Sequence, residues 1–192
     1  MLNNRPSKEQ AIDAVRTILE YIGEDPKREG LIDTPKRVVK SLGELYSGYE
    51  ADLDDILSTR FFFEVANFQD IILLKDITFK SMCEHHMLPI VGKVDIAYIP
   101  NDSVVGISKL ARVVEVFARR LQIQEKMTAE IACAIYNRLN PVGVAVRISA
   151  AHHCMTMRGI LKDNSVMTTI HYEGIYTKDE KYKQNFLSLL LN

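Results

Sequence analysis

Histidine and cysteine are concentrated in two short stretches of this 192-residue chain. The first is Cys-Glu-His-His at residues 83–86, and the second is His-His-Cys at residues 152–154. Between them they hold all but one of the 5 histidines and all but one of the 3 cysteines. Thiolate and imidazole are preferred ligands of borderline-soft divalent metals such as zinc. The clustering therefore predicts a metal site that joins the two stretches.

The order of the residues limits which side chains can share one ion. Adjacent side chains of an extended backbone point to opposite sides, so neighbours in these stretches do not bind the same metal. The simplest set of three ligands is Cys83, His86 and Cys154, which leaves His85 and His152 free beside the ion. Free histidines next to an activated water can transfer protons near neutral pH. A structural zinc with His152 as fourth ligand is the alternative, and the residues alone leave both open.

Two basic residues lie near the start of the helix that is predicted to begin at Ser108. Ser108 is the expected N-cap, and Lys109 and Arg112 lie in and near the first turn. The amides of a helix N-terminus bind anions, so this stretch predicts a phosphate site, although such cations also occur on ordinary solvated helix faces. Arg158 follows the second cluster and would add a cation near the metal.

Other polar residues are more ambiguous. Glu125, with Gln124 beside it, falls in a polar break between two predicted helices. Its carboxylate could accept two parallel N–H bonds from an amidine-like edge, such as that of guanine, but a solvated surface glutamate is the simpler interpretation. Arg37 and Lys40 are either further phosphate-binding cations or surface charge. We expect Cys133 to be a buried small hydrophobe and His171, without an evident partner, to be structural.

Composition describes an ordinary globular protein. With 47% hydrophobic residues, 26% charged residues and a net charge of −1, nothing in the overall balance indicates nucleic acid or a membrane as partner. The polar N-terminus shows no apolar signal segment. An odd number of cysteines beside histidines is typical of metal ligands in a reducing compartment, so we expect a cytoplasmic protein.

The residue pattern predicts an α+β fold with an antiparallel sheet and helices on one face. Residues 1–50 are expected to form an N-terminal helical arm, and residues 51–192 the main α+β domain that contains both metal-ligand stretches. Exposed sheet edges would be protected by oligomer assembly. The predicted elements are helices starting at Ser7, Thr34, Ser108, Thr128 and Asp179, and strands within 61–100 (through Val65), 142–148 and 165–176.

Five separate strings of this sequence together resemble the GTP cyclohydrolase I family. They are Thr-Pro-Lys-Arg at 34–37, Cys-Glu-His-His at 83–86, Gly-Ile-Ser-Lys-Leu-Ala-Arg at 106–112, Gln-Ile-Gln-Glu at 122–125 and His-His-Cys-Met-Thr-Met-Arg-Gly at 152–159. The resemblance implies the tunnelling fold, in which subunits join their sheets into a barrel and two rings stack as an allosteric homodecamer. It implies conversion of GTP to 7,8-dihydroneopterin triphosphate with release of formate, the first step towards folate or tetrahydrobiopterin.

The resemblance also implies a role for each matching position. Those positions are Cys83, His86 and Cys154 as zinc ligands, His85 and His152 as catalytic residues, Glu125 and Gln124 at guanine, Ser108, Lys109, Arg112 and Arg158 at the triphosphate, and Arg37 and Lys40 as basic residues lent by a neighbouring subunit. This assignment argues against a structural zinc. Another tunnelling-fold pterin enzyme and a zinc-stabilised, non-catalytic binding module remain as competing interpretations, and a regulatory protein partner stays open.

Overall fold

A computed structural model describes residues 5–62, 68 and 70–191. The chain divides into two compact units, Met1–Ser47 and Gly48–Asn192. The part of the predicted strand pattern at Val65 lies outside the described residues. No helix among the described residues is long and apolar enough to cross a membrane.

The first unit contains two helices that pack against each other, α1 (Lys8–Tyr21) and α2 (Thr34–Leu45). The predicted cap of α1 is confirmed, because Gln10 N donates to Ser7 Oγ and Ser7 N donates to Gln10 Oε1. The predicted cap of α2 is wrong by one residue. Asp33 is the N-cap, Thr34 is already helical, and Pro35 occupies the first turn.

The second unit is built on a five-stranded sheet in the order β5-β2-β3-β6-β7. Neighbouring strands are antiparallel, except that β5 runs parallel to the end of β2. The strand bounds are β1 Arg60–Phe62, β2 Ile72–Cys83, β3 Pro89–Ile99, β4 Ser103–Val105, β5 Leu121–Gln122, β6 Gly143–His152 and β7 Met167–Gly174. Strands β1 and β4 form a separate two-stranded pair.

Two helix starts in this unit differ from the sequence prediction. Helix α4 begins after Gly106 rather than with Ser108 as its cap. Helix α5 begins at Gln124 rather than at Thr128, whose hydroxyl donates to Gln124 O one turn earlier. The helix bounds are α3 Leu53–Ile56, α4 Ile107–Ala118, α5 Gln124–Leu139, α6 His153–Thr156, α7 Ile175–Lys178 and α8 Glu180–Leu191.

The alternation of side chains along β3 and β6 makes both faces of the sheet apolar at its centre. On one face the strands form the main core with α4 and α5, which confirms the predicted helical layer. That face presents buried side chains such as Val94, Ile96 and Val146. On the opposite face, Ala97 and Ala145 pack with aromatic residues of α7 and α8. The fold is therefore α+β, with a smaller second layer at the C-terminus.

The hydroxyl of Tyr176 has no hydrogen-bond partner in the described part of the chain, although the residue is fully buried. An unpaired buried hydroxyl is destabilising, so we expect Tyr176→Phe to raise the free energy of unfolding by about 1 kcal/mol. Burial also raises the pKa of Tyr176. The unfolded chain therefore loses this phenol proton before the folded chain does, and wild-type stability should fall as the pH rises above 10.

Urea unfolding at neutral pH and above pH 10 tests this expectation, and Tyr98→Phe is the matched control. Tyr98 is equally buried, but its hydroxyl accepts a hydrogen bond from Val105 N at 3.3 Å. Its removal should lower stability by about 1 kcal/mol, because the Val105 N–H is left unpaired. Equal losses in both variants would contradict the assignment of an unsatisfied hydroxyl to Tyr176.

Candidate functional site

The first cysteine–histidine stretch forms a tight reversal between β2 and β3. Cys83 is the last residue of β2, and its N–H donates to Leu88 O at 2.8 Å. Met87 N donates back to Cys83 O at 2.8 Å, and Met87 itself has a φ of 53°. This compact turn returns His86 towards Cys83, as the Cys-x-x-His spacing predicts.

The second stretch reaches the same end of the sheet from β6. Strand β6 ends at His152, which lies opposite Ile90 near the start of β3. Cys154 follows in the single turn of α6. Strand β3 lies between β2 and β6 and is antiparallel to both. The end of β2, the start of β3 and the end of β6 therefore lie side by side at one end of the sheet.

Three soft donor atoms converge there. One atom each from Cys83, His86 and Cys154 lies within 4.8 Å of the other two. Cys83 is buried, Cys154 is half-buried and His86 is exposed, so the cluster opens to solvent on one side. Burial and the neighbouring Cys83 sulfur raise the pKa of the Cys154 thiol. Two thiols and an imidazole with an open side fit a zinc ion held by three protein ligands.

The two histidines predicted to be free lie beside this cluster. His85 Nδ1 is 3.8 Å from Cys83 Sγ, while its Nε2 is 4.0 Å from a Glu84 oxygen. His152 is half-buried at the end of β6. Burial lowers the pKa of His152, and the nearby Glu125 carboxylate acts in the opposite direction. Both imidazoles lie where they could exchange protons with a molecule bound at the donor cluster.

Glu125 lies in the first turn of α5, not in a loop as the sequence indicated. Its position follows from the side chain of Gln124, whose Nε2 lies 3.0–3.1 Å from Ile148 O, Met167 O and Thr169 Oγ1 and shares its two hydrogens among these three acceptors. These bonds tie the start of α5 to β6 and β7. The Gln124 amide is thus committed to the fold, and the exposed Glu125 carboxylate is held near His152.

Arg158 lies next to the donor cluster, whereas the cations of α4 do not. Arg158 Nη1 is 3.1 Å from His86 Nε2. Ser108 lines a surface depression with residues 74–78 in the first half of β2. The C-terminal end of α4 leads into β5, which pairs with Met82 and Cys83 near the donor cluster. Ser108 is about 15 Å along the helix from that end, since an α-helix rises 1.5 Å per residue.

Lys109 and Arg112 lie in the same N-terminal half of α4 as Ser108. Lys109 follows Ser108 directly, and Arg112 lies one turn further along the helix. Arg37 and Lys40 are exposed on α2 of the first unit, where Arg37 Nη2 lies 3.3 Å from Asp33 Oδ2. Within the second unit, the metal-ligand candidates lie close to His85, His152, Glu125 and Arg158. The candidate phosphate-binding residues on α4 lie elsewhere on the surface of this unit.

The expectation that Cys133 is a buried small hydrophobe was wrong, and His171 has a partner that was not identified from the sequence. Cys133 is only half-buried, and its Sγ donates to Glu173 Oε1 at 3.1 Å. His171 has a partner, because its Nε2 lies 2.9 Å from the same Glu173 oxygen. The spacing His-x-Glu in a strand, which puts both side chains on one face, was the available signal.

A donor cluster that is open on one side is typical of catalytic rather than structural metal sites, so the geometry is that of a candidate metalloenzyme. Residues 11–191 match the family model of GTP cyclohydrolase I. The chain therefore belongs to the GTP cyclohydrolase I family, and it is an enzyme with that family's tunnelling fold.

Two relatives from Rickettsia agree with this assignment over nearly the whole chain. GTP cyclohydrolase 1 of Rickettsia felis is 59% identical over 97% of this chain and 97% of its own. GTP cyclohydrolase 1 of Rickettsia prowazekii is 56% identical over 97% of this chain and 98% of its own. The apo crystal structure of the archaeosine synthase QueF-Like has a TM-score of 0.46 and 17% identity, covering 54% of this chain and 93% of that one.

Proposed function

We propose that this enzyme converts GTP to 7,8-dihydroneopterin triphosphate and formate in a zinc-dependent reaction, as the first step towards folate or tetrahydrobiopterin. The convergence of Cys83, His86 and Cys154 beside His152 and Glu125 is the observation that supports this most directly. A centre with two thiolates requires reducing conditions, so we propose that the enzyme acts in the cytoplasm.

Zinc held by the three donors would supply a water activated for attack, since zinc lowers the pKa of a bound water to about 7. Attack on purine C8 needs a protonated N7, and His152 is the group beside the centre that would donate this proton. Ring opening gives a formamide, and a second hydrolysis releases formate. His85, which is exposed next to Cys83, would then move protons at the ribose during its rearrangement and ring closure.

Residues around the donor cluster would orient the substrate. The Glu125 carboxylate would accept bonds from the guanine N1–H and exocyclic amine, with Gln124 fixing the helix start that carries it. Arg158, beside His86, would bind a substrate anion. Holding both ends of GTP fixes C8 over the centre, which converts a bimolecular encounter into a positioned reaction.

The remaining phosphate candidates would come from other copies of the chain. Ser108, Lys109 and Arg112 lie in the N-terminal half of α4, away from the donor cluster. Among the described strands, β7 has a neighbour only on its β6 side, and β5 covers β2 only at Met82 and Cys83. Such edges can join between subunits, which supports a barrel-forming homodecamer with active sites at subunit interfaces. Arg37 and Lys40 would likewise be lent by a neighbouring copy.

Turnover of GTP before and after chelation tests the function directly. Formate and pterin absorbance would be followed on the purified protein, on the chelated protein and after zinc is added back. Loss and zinc-dependent recovery of both products is the expected result. Formate without pterin would leave only the hydrolytic half of the proposal standing. Tightly held zinc without any turnover would instead favour a structural metal.

Mixing of inactive variants tests the shared site. Cys154→Ser removes a ligand from one copy, whereas Lys109→Ala removes a cation that would serve a different copy. If two copies build each site, co-assembly of equal amounts restores one quarter of the sites, so about a quarter of wild-type turnover should return. The control pairs Cys154→Ser with His152→Ala, which damage the same half of the site and should not complement. Absence of recovery in the first mixture would contradict the interface model.

Glu125→Gln should weaken GTP binding while leaving the metal in place. Loss of a charged acceptor for two N–H donors costs about 1.5–3 kcal/mol, which corresponds to a rise of about 10-fold to 100-fold in KM. Inosine triphosphate, which lacks the exocyclic amine, serves as the control substrate. The variant should discriminate between GTP and inosine triphosphate less than the wild type does. Unchanged discrimination in steady-state kinetics would remove Glu125 from guanine recognition.

A further inference from the structure

A second set of metal-ligand side chains lies between α5 and the edge strand β7. One donor atom each from Cys133, His171 and Glu173 lies within 4.8 Å of the other two. Glu173 Oε1 is 3.1 Å from Cys133 Sγ and 2.9 Å from His171 Nε2. Neither the proposed reaction nor the substrate contacts use these three residues.

This set is well separated from the candidate active centre. Glu173 lies opposite Val144 near the start of β6, whereas the active centre is at His152, where β6 ends. Eight residues of strand span about 26 Å, because a strand rises about 3.3 Å per residue. The two clusters therefore lie level with opposite ends of β6.

Regular backbone positions the three side chains. His171 and Glu173 are two residues apart in β7 and so project from the same face of the sheet. Thr169 shares that face and contacts Thr128 of α5 through their hydroxyl oxygens, 2.6 Å apart. Cys133 lies further along α5, so the helix crosses this face and brings its sulfur to the two strand residues. Sites on helices and strands hold donor geometry better than sites on loops do.

The donor chemistry suits a borderline-soft ion. Thiolate, imidazole and carboxylate are the three side-chain ligand types of protein zinc, with bond lengths of about 2.0–2.3 Å. Ligand atoms around a tetrahedral zinc are thus about 3.5 Å apart, so the donors would need to separate by about half an ångström. All three residues are half-buried, so the cluster remains accessible from solvent.

A reactive thiol is a poorer explanation of the cluster. Burial, together with the Glu173 carboxylate, raises the pKa of Cys133 to about 11. A protonated thiol is a weak nucleophile and resists oxidation, so the site does not suit a redox sensor. Zinc displaces thiol protons readily, and ligand sets of this kind acquire their thiolate when the ion binds.

We propose that Cys133, His171 and Glu173 form a second divalent-metal site that takes zinc and fastens α5 to β7. With three protein ligands the ion would keep one position for water, but the residues proposed for catalysis lie at the other end of the sheet. The ion would therefore act only by stabilising the edge of the sheet, so its loss should lower the melting temperature and leave GTP turnover nearly unchanged. The site is independent of the proposed function, because its ligands belong to neither the first centre nor the substrate pocket.

Zinc content after saturation and gel filtration in metal-free buffer tests the proposal on the whole protein. Wild type is expected to retain two ions per chain, and Cys133→Ser, His171→Ala and Glu173→Gln one each. A Cys83→Ser, Cys154→Ser double variant should also retain one, and adding Cys133→Ser should leave none. Glu180→Gln, which neutralises an exposed carboxylate on α8, is the matched control and should keep the wild-type count.

Cobalt substitution tests whether Cys133 is a metal ligand, and a separate folding control excludes misfolding as the explanation. In the Cys83→Ser, Cys154→Ser background, Co²⁺ should give a thiolate-to-metal absorption band that Cys133→Ser abolishes. Preserved turnover and circular dichroism of Cys133→Ser in the wild-type background would show that the variant is folded. Equal zinc content in wild type and folded Cys133→Ser, or no cobalt band in the double variant, would overturn the second site. Either result leaves the cyclohydrolase activity, which is measured separately, unaffected.

Discussion

Cys154→Ser is expected to release the active-site metal and abolish GTP turnover. The Cys154 sulfur belongs to the cluster with Cys83 and His86, and a neutral serine hydroxyl does not replace a thiolate at zinc. Without the ion no activated water remains, so the loss of turnover should exceed about 10,000-fold. Serine is nearly isosteric with cysteine, and the substitution should therefore leave the packing of Cys154 against the main core intact.

The measurement combines zinc content with formate and pterin production. Cys154→Ser should hold one zinc fewer per chain than wild type, with unchanged circular dichroism. Cys133→Ser, the same chemical change at the other end of the sheet, is the matched control and should keep full turnover. If Cys154→Ser retained its zinc and its activity, the three-ligand set would be wrong.

His152→Ala is expected to keep the active-site metal and lose most of the activity. His152 lies beside the donor cluster without belonging to it, at the end of β6 and near Glu125. General acid catalysis typically contributes 100-fold to 10,000-fold, so kcat should fall by about that factor. Because the residue only moves protons in this proposal, the zinc content should equal that of wild type.

This variant separates a catalytic centre from a structural one. A zinc with four protein ligands would use His152 as the fourth, and His152→Ala would then lose the metal together with activity. His171→Ala, which removes another half-buried histidine, should retain turnover. Rapid-quench assays would follow formate after a single turnover. Fast formate release from His152→Ala would exclude this residue as the acid that acts at N7.

Local pattern predicted the elements better than it predicted their starts. The capping box of α1 is a property of two nearby side chains, Ser7 and Gln10, and it was identified correctly. Helices α4 and α5 begin after Gly106 and Ile123, neither of which supplies a capping side chain. The start of α5 is set instead by bonds from Gln124 to β6 and β7, which no local pattern contains. Thr128 resembled a cap because its hydroxyl also bonds within the helix.

The chemistry of the donors was determined by the sequence itself. Cysteine and histidine have ligand preferences that do not depend on the fold, and the Cys-x-x-His spacing needs only one turn of backbone. Five matching strings were also enough to indicate the family. The residue types and the class of reaction therefore follow from local information.

Tertiary structure alone decided which distant residues meet. Antiparallel pairing of β3 with both β2 and β6 brings Cys154 to Cys83, and the length of α4 carries Lys109 away from them. The crossing of α5 over β7 joins Cys133 to Glu173, two residues that appeared unrelated in the sequence. Such contacts depend on strand register and helix packing, which arise from burial of the whole core and not from any single stretch of chain.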